Sequence, residues 1–101
     1  MNMKIDRLKS KIISKDLILN GSVIEQYKQC GKPNCRCHKG RGYWHGPYWV
    51  WTRKEEGKTI TKNLSSEQAR LVKKAIKEMH DLQKTIAQWR TWSLKKIERN
   101  D

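Results

Sequence analysis

Phenylalanine is missing from this chain, and acidic side chains are scarce: 10 Asp and Glu stand against 23 Lys and Arg in 101 residues. Cysteine occurs three times, and an odd count argues against a disulfide framework. Apolar residues make up only 36%, and no run of them approaches the roughly 20 that a membrane-spanning helix needs. The N-terminal MNMKIDRLKSKIISKD carries Asp6 and Asp16 and lacks an apolar core with a cleavage site, so no signal peptide is expected. The expected compartment is cytoplasmic, where thiols stay reduced. A chain of this length is expected to form one small domain with a modest core, burying about 60–65% of its unfolded surface.

What is present in excess is positive charge. The formal net charge is +13, carried as +3 over residues 1–19, +6 over 20–64 and +4 over 65–101, so it belongs to the folded body and not to one tail. Such a field attracts polyanions, and nucleic acid is the expected partner. An acidic protein would also fit; a membrane is not expected.

Three segments are expected. Residues 1–19 form an N-terminal helix, with Ile5, Leu8 and Ile12 on one face and Leu17 to Leu19 extending it until Asn20-Gly21 breaks the pattern. Residues 20–64 read as β structure around a loop. Ser22–Cys30 is one strand, and YWVWTR and KTITKNL pair across Glu56-Gly57. With those two residues central in the turn, Trp49 lies opposite Leu64, Trp51 opposite Lys62 and Arg53 opposite Ile60. Residues 65–101 form a long helix, opened by a capping box of Ser65 and Gln68. Val72, Ala75, Met79, Leu82, Ile86 and Trp89 repeat as an a/d stripe, which predicts pairing with the first helix or, through residues 72–89, a homodimeric coiled coil. The class is α+β: helix, small antiparallel sheet or hairpin with a cysteine-rich loop, long C-terminal helix.

The stretch CGKPNCRCHKGRGYWHGPYWVW, residues 30–51, gathers all three cysteines, both prolines and three of the five tryptophans, which singles it out as the candidate site. Cys30, Cys35 and Cys37 follow C-x4-C-x-C, and His38 and His45 stand close by. Zinc takes four ligands in a tetrahedron, and three thiolates with one imidazole are a usual structural set. Adjacent residues project apart, which sets Cys37 against His38 and favours His45 as the fourth ligand. Small apolar packing of the cysteines, anion binding by the neighbouring cations and a reactive thiol are the other readings. The loop contains no acid to orient a base, so catalysis is not expected. The candidate nucleic-acid contacts are Lys32, Arg36, Lys39, Arg41, Arg53, Lys54, Lys58 and Lys62 for phosphates. Trp44 or Trp51 would stack on bases.

The elements GSVIEQYKQCGKPNCRCHKG, HGPYWV and EGKT resemble an uncharacterised family of small basic prokaryotic proteins, carried as a domain of unknown function. The shared pattern is G-S-(x)4-Y-(x)2-C-G-K-P-x-C-x-C, then H-G-P-Y, then G-K-T. It includes His45 and omits His38, and the RGYW segment before His45 departs from it. The resemblance implies association with mobile elements. DNA binding, favoured over RNA, fits that setting, in an accessory protein working with a larger enzyme or ribonucleoprotein.

Overall fold

Two β-branched runs flank Glu56-Gly57, and the backbone there adopts left-handed φ values of 50° and 81°. A turn of this mirror-image kind matches the twist of antiparallel strands. In the computed structural model, which describes residues 3–99, it joins β2 (His45–Glu55) to β3 (Lys58–Leu64). Trp49 pairs with Leu64, Trp51 with Lys62 and Arg53 with Ile60, the register expected from the turn. On the other side of β2 runs β1 (Ser22–Lys28), also antiparallel, giving a three-stranded sheet in the order β1-β2-β3. The β1–β2 register shifts between Gln26 and Lys28: Gly46 and Pro47 of β2 stand opposite the single residue Tyr27 of β1, so β2 bulges beside the cysteine loop.

Because side chains alternate along a strand, the pairing sorts them onto two faces. One face carries Val23, Trp49, Trp51, Arg53 and Leu64; the other carries Ile24, Tyr48, Val50, Thr52, Thr61 and Asn63. Trp51 is 8% exposed and donates its indole N–H to the Asn20 carbonyl at 2.8 Å. Lys73 lies 4.2 Å above the Trp49 ring, so the start of the long helix meets the sheet on the tryptophan face.

That helix, α2, runs Ser66–Arg99. Its start is the capping box the sequence predicts: the Gln68 amide donates to Ser65 Oγ at 3.1 Å, and the Ser65 amide donates to Gln68 Oε1 at 2.9 Å. Its 34 residues extend about 50 Å. The first helix, α1, covers Met3–Ile13 and ends well before residue 19. At its end the Ser14 hydroxyl donates to the Lys11 carbonyl at 2.7 Å and the Lys15 amide to Ile12 at 3.2 Å, closing the last turn. Leu17 and Ile18, read as helix from their apolarity, are 58% and 42% exposed and lie outside any helix or strand. The outermost residues of the expected segments, 1–2 and 100–101, lie outside the described residues.

Contacts divide the chain into two compact units, and the boundary falls inside α2, between Lys73 and Lys74. One unit is Asn20–Lys73, holding the sheet, the cysteine loop and the first turns of α2. The other joins the N-terminal segment through Leu19 to α2 from Lys74 onward. In the latter, Lys4 lies over Trp92, Lys9 over Trp89, and Lys15 reaches Glu78 at 2.7 Å and Asp81 at 3.7 Å. Ascending order on α1 meets descending order on α2, so the two helices are antiparallel. Leu8, Ala75 and Thr85 are buried here, and Ile5 and Ile12 are half-buried, so the apolar face read from α1 is its packing face.

Candidate metal centre and basic loop

The antiparallel pairing of β1 and β2 brings Lys28 opposite His45. The sixteen residues between them must therefore close on themselves, and that closure assembles the site. Gly46 permits it. Its φ is 146°, and a Cβ there would sit 2.7 Å from the Gln26 carbonyl oxygen and 2.8 Å from Tyr27 Cδ1. Only glycine lets the β2 bulge approach β1 so closely. The Gly46–Pro47 peptide is cis.

Within the loop, the Cys35 amide donates to Lys32 O and the His38 amide to Cys35 O, both at 3.2 Å, winding a turn and then a short 3-10 segment over Arg36–Lys39. Cys30 Sγ and Cys37 Sγ are 3.6 Å apart, and Cys35 Sγ is 3.2 Å from His45 Nε2. The four ligand atoms of Cys30, Cys35, Cys37 and His45 all lie within 4.8 Å of one another. A zinc tetrahedron with bonds of about 2.3 Å has edges of about 3.8 Å, so this spacing fits a four-coordinate metal ion. His38 faces elsewhere, its Nε2 2.9 Å from the Lys32 carbonyl. The choice of His45 over His38 thus agrees with the geometry.

The surroundings act on two of the thiols in opposite directions. The Cys37 amide beside Cys35, then His45, Cys30 and the Cys37 thiol, hold the Cys35 thiol down to about 6. Burial pushes the Cys37 thiol up, though the Cys30 amide donates to its sulfur at 3.2 Å. A buried thiol among thiols ionises when a cation shares the site, and metal ligation requires that ionisation. Gln29 Nε2 donates to the Cys37 carbonyl at 3.4 Å, fixing the backbone behind the sulfur. The sequence carries no signal for Gln29 or for the Cys30 amide, because both act only once the loop has closed.

Of the predicted contact residues, Lys32, Arg36, Lys39 and Arg41 are exposed on this loop. Arg36 lies 5.4 Å over the Tyr43 ring and Arg41 5.5 Å over Trp44. Tyr43 is 51% exposed and Trp44 half-buried, so Tyr43 belongs to the surface. Lys54, Lys58 and Lys62 are exposed on the hairpin, Lys54 alone on the face opposite the tryptophans. Arg53 is half-buried, stacked 4.1 Å over Trp51 and joined to Glu55 at 3.2 Å. Trp51, read as a stacking residue, is instead covered by Arg53 and held by Asn20, because its strand register points it into the packed face.

A Cys3His cluster clamping one end of a small antiparallel sheet defines a candidate metal-binding α+β protein. The chain belongs to the family described as Domain of unknown function (DUF6788), whose model matches residues 3–77 and so includes all four cluster residues. No curated protein and no solved structure matches the chain. Among the described residues, no helix is long and apolar enough to cross a membrane.

Proposed function

We propose that the chain binds nucleic acid, DNA in preference to RNA, and that a structural zinc ion in the Cys30–Cys35–Cys37–His45 cluster holds the binding loop in shape. Zinc suits the donor set, since three thiolates and one imidazole are soft to borderline ligands. With four protein ligands the ion has no open position for chemistry, so its role is structural and no catalysis is proposed at it. The observation that carries the nucleic-acid reading is the loop's surface. From Gln26 to Lys54 there is no acidic residue, and Lys32, Arg36, Lys39 and Arg41 are exposed with two of them seated on aromatic rings. A rigid array of this kind positions phosphates and offers ring faces to bases.

The test is the salt dependence of binding. Four phosphate contacts on duplex DNA give a slope near −3.6, so raising salt from about 50 to about 200 mM weakens binding about 150-fold. Binding that hardly responds to salt sinks the proposal. Metal analysis of the purified chain is expected to find one zinc per chain.

A second reading has its own support on α2. Ile86, Leu94 and Ile97 are 44%, 58% and 67% exposed, an apolar strip suited to a second copy or to the larger enzyme or ribonucleoprotein that this accessory protein would serve. Salt-insensitive association with a protein, and none with nucleic acid, would favour an adaptor role.

A further inference from the structure

The sheet face opposite the tryptophans exposes most of its side chains. Its exposed members are Ile24 and Tyr48, 48% and 45% exposed, with Thr61 and Asn63 also in solvent. Val50 is buried at its centre, between its cross-strand partners Ile24 and Asn63. Glu25 and Glu55 pair with Trp49 and Lys58 and so lie on the other face, which leaves this one without a paired acidic side chain. Lys28 stands 5.6 Å over the Tyr48 ring at the end nearest the cysteine loop, and Lys54 lies at the hairpin end. Tyr48 to Lys54 spans about 20 Å at roughly 3.3 Å per residue.

A duplex presents stacked, paired bases, and a flat sheet face cannot reach their ring faces; a groove admits a helix or a two-stranded ribbon instead. A single strand exposes its bases, which stack on an aromatic ring while small polar side chains meet their edges and cations follow the phosphates. Tyr48, then Thr61 and Asn63, then Lys28 and Lys54 supply those three kinds of contact on one surface whose charge complements the ligand. We infer that this open face is a platform for single-stranded nucleic acid, the strand passing from the basic loop across Tyr48 toward Lys54. The inference rests on the nucleic-acid reading above and names the strandedness of its ligand.

The experiment titrates the full chain against a mixed-sequence DNA strand, the matching RNA strand and the DNA duplex at one fixed salt concentration. The single strands are expected to bind more tightly than the duplex, and the two single-strand arms tell DNA from RNA. Tyr48→Ala is expected to weaken single-strand binding about tenfold, within the range for loss of one base–aromatic stack, while Tyr48→Phe retains it. Asn63→Glu, which puts an acid on an exposed position of the face, is expected to weaken it as well and guards against misfolding of the alanine variant. A duplex preference, or single-strand binding indifferent to both Tyr48→Ala and Asn63→Glu in folded protein, overturns the platform and leaves the nucleic-acid reading standing. No binding to any of the three probes overturns both.

Discussion

His38 and His45 are the sharpest residue-scale contrast in the chain. They have the same side chain and lie on the same loop, yet one sits 3.2 Å from a cysteine sulfur and the other 2.9 Å from a backbone carbonyl. His45→Ala is therefore expected to abolish stoichiometric metal binding, whereas His38→Ala keeps one metal per chain; metal analysis after dialysis distinguishes them. Equal loss in both would move the fourth ligand. Trp51 gives a second residue-scale prediction. Trp51→Phe keeps most of the buried ring but loses the bond to Asn20, for about 0.5–1.5 kcal/mol of stability. Trp51→Ala costs about 3–5 kcal/mol, measured by denaturant unfolding. A loss near zero for Trp51→Ala would mean that the indole is not part of the packed face. The cysteine spacing made the cluster legible, since the neighbours Cys37 and His38 project apart. The fate of Trp51 was not legible, because an aromatic flanked by arginine reads alike whether the arginine caps a buried ring or flanks an exposed one.

At the scale of elements, local chemistry was legible wherever it is self-contained. The Ser65–Gln68 capping box and the Glu56-Gly57 turn need nothing outside themselves, and both appear as read, the turn fixing the whole β2–β3 register. The end of α1 was not self-contained. Leu17 to Leu19 look helical by apolarity, but the Ser14 hydroxyl competes for the helix carbonyls and Leu19 instead donates its amide to Ala75 O at 3.2 Å. The chain entering β1 has a steric condition of its own at Gly21. Its φ is 103°, and a Cβ would collide with the Thr52 carbonyl oxygen and stand 2.9 Å from Trp51 Nε1. Gly21→Ala is expected to lower the unfolding midpoint strongly, through both the left-handed backbone and the displaced indole. An unchanged midpoint would show that β1 can retreat from β2 without loss.

Lys15 links the helical elements and has a pH signature. Its hydrogen bond to Glu78, then the charges of Glu78 and Asp81, raise its ammonium above the usual 10.5. A group whose pKa is raised by folding stabilises the folded state fully below its unfolded value and stops doing so as pH climbs through the folded one. The contribution is thus intact at neutral pH and disappears on the alkaline side, above about 10.5. Lys15→Gln is expected to be less stable than the parent at neutral pH, with the difference shrinking in thermal melts taken through that alkaline window. A difference that stays constant across the window would mean that packing of the side-chain stem, and not its charge, is what Lys15 supplies.

For the whole molecule, the division at Lys73 and Lys74 gives the metal a local reach. All four cluster residues lie in Asn20–Lys73, and the antiparallel pair of α1 with later α2 contains none. Zinc would close the sixteen-residue connection between Lys28 and His45, and a site of this kind contributes directly to folding stability because the unfolded chain has no preformed ligand geometry. A chelator is therefore expected to act on one unit first. Tryptophan fluorescence and near-ultraviolet dichroism, to which Trp44, Trp49 and Trp51 of that unit contribute beside Trp89 and Trp92 of the other, should change in part on metal removal. The far-ultraviolet helical signal, dominated by α2, should largely persist. Nucleic-acid affinity should fall in the same titration and its salt slope should shallow, because Lys32, Arg36, Lys39 and Arg41 would no longer be held together. Readdition of zinc should restore both the fluorescence and the slope. Metal loss verified by analysis with neither signal moved would show that backbone bonds such as Cys35 to Lys32 hold the loop by themselves, and the proposed role of zinc would fall.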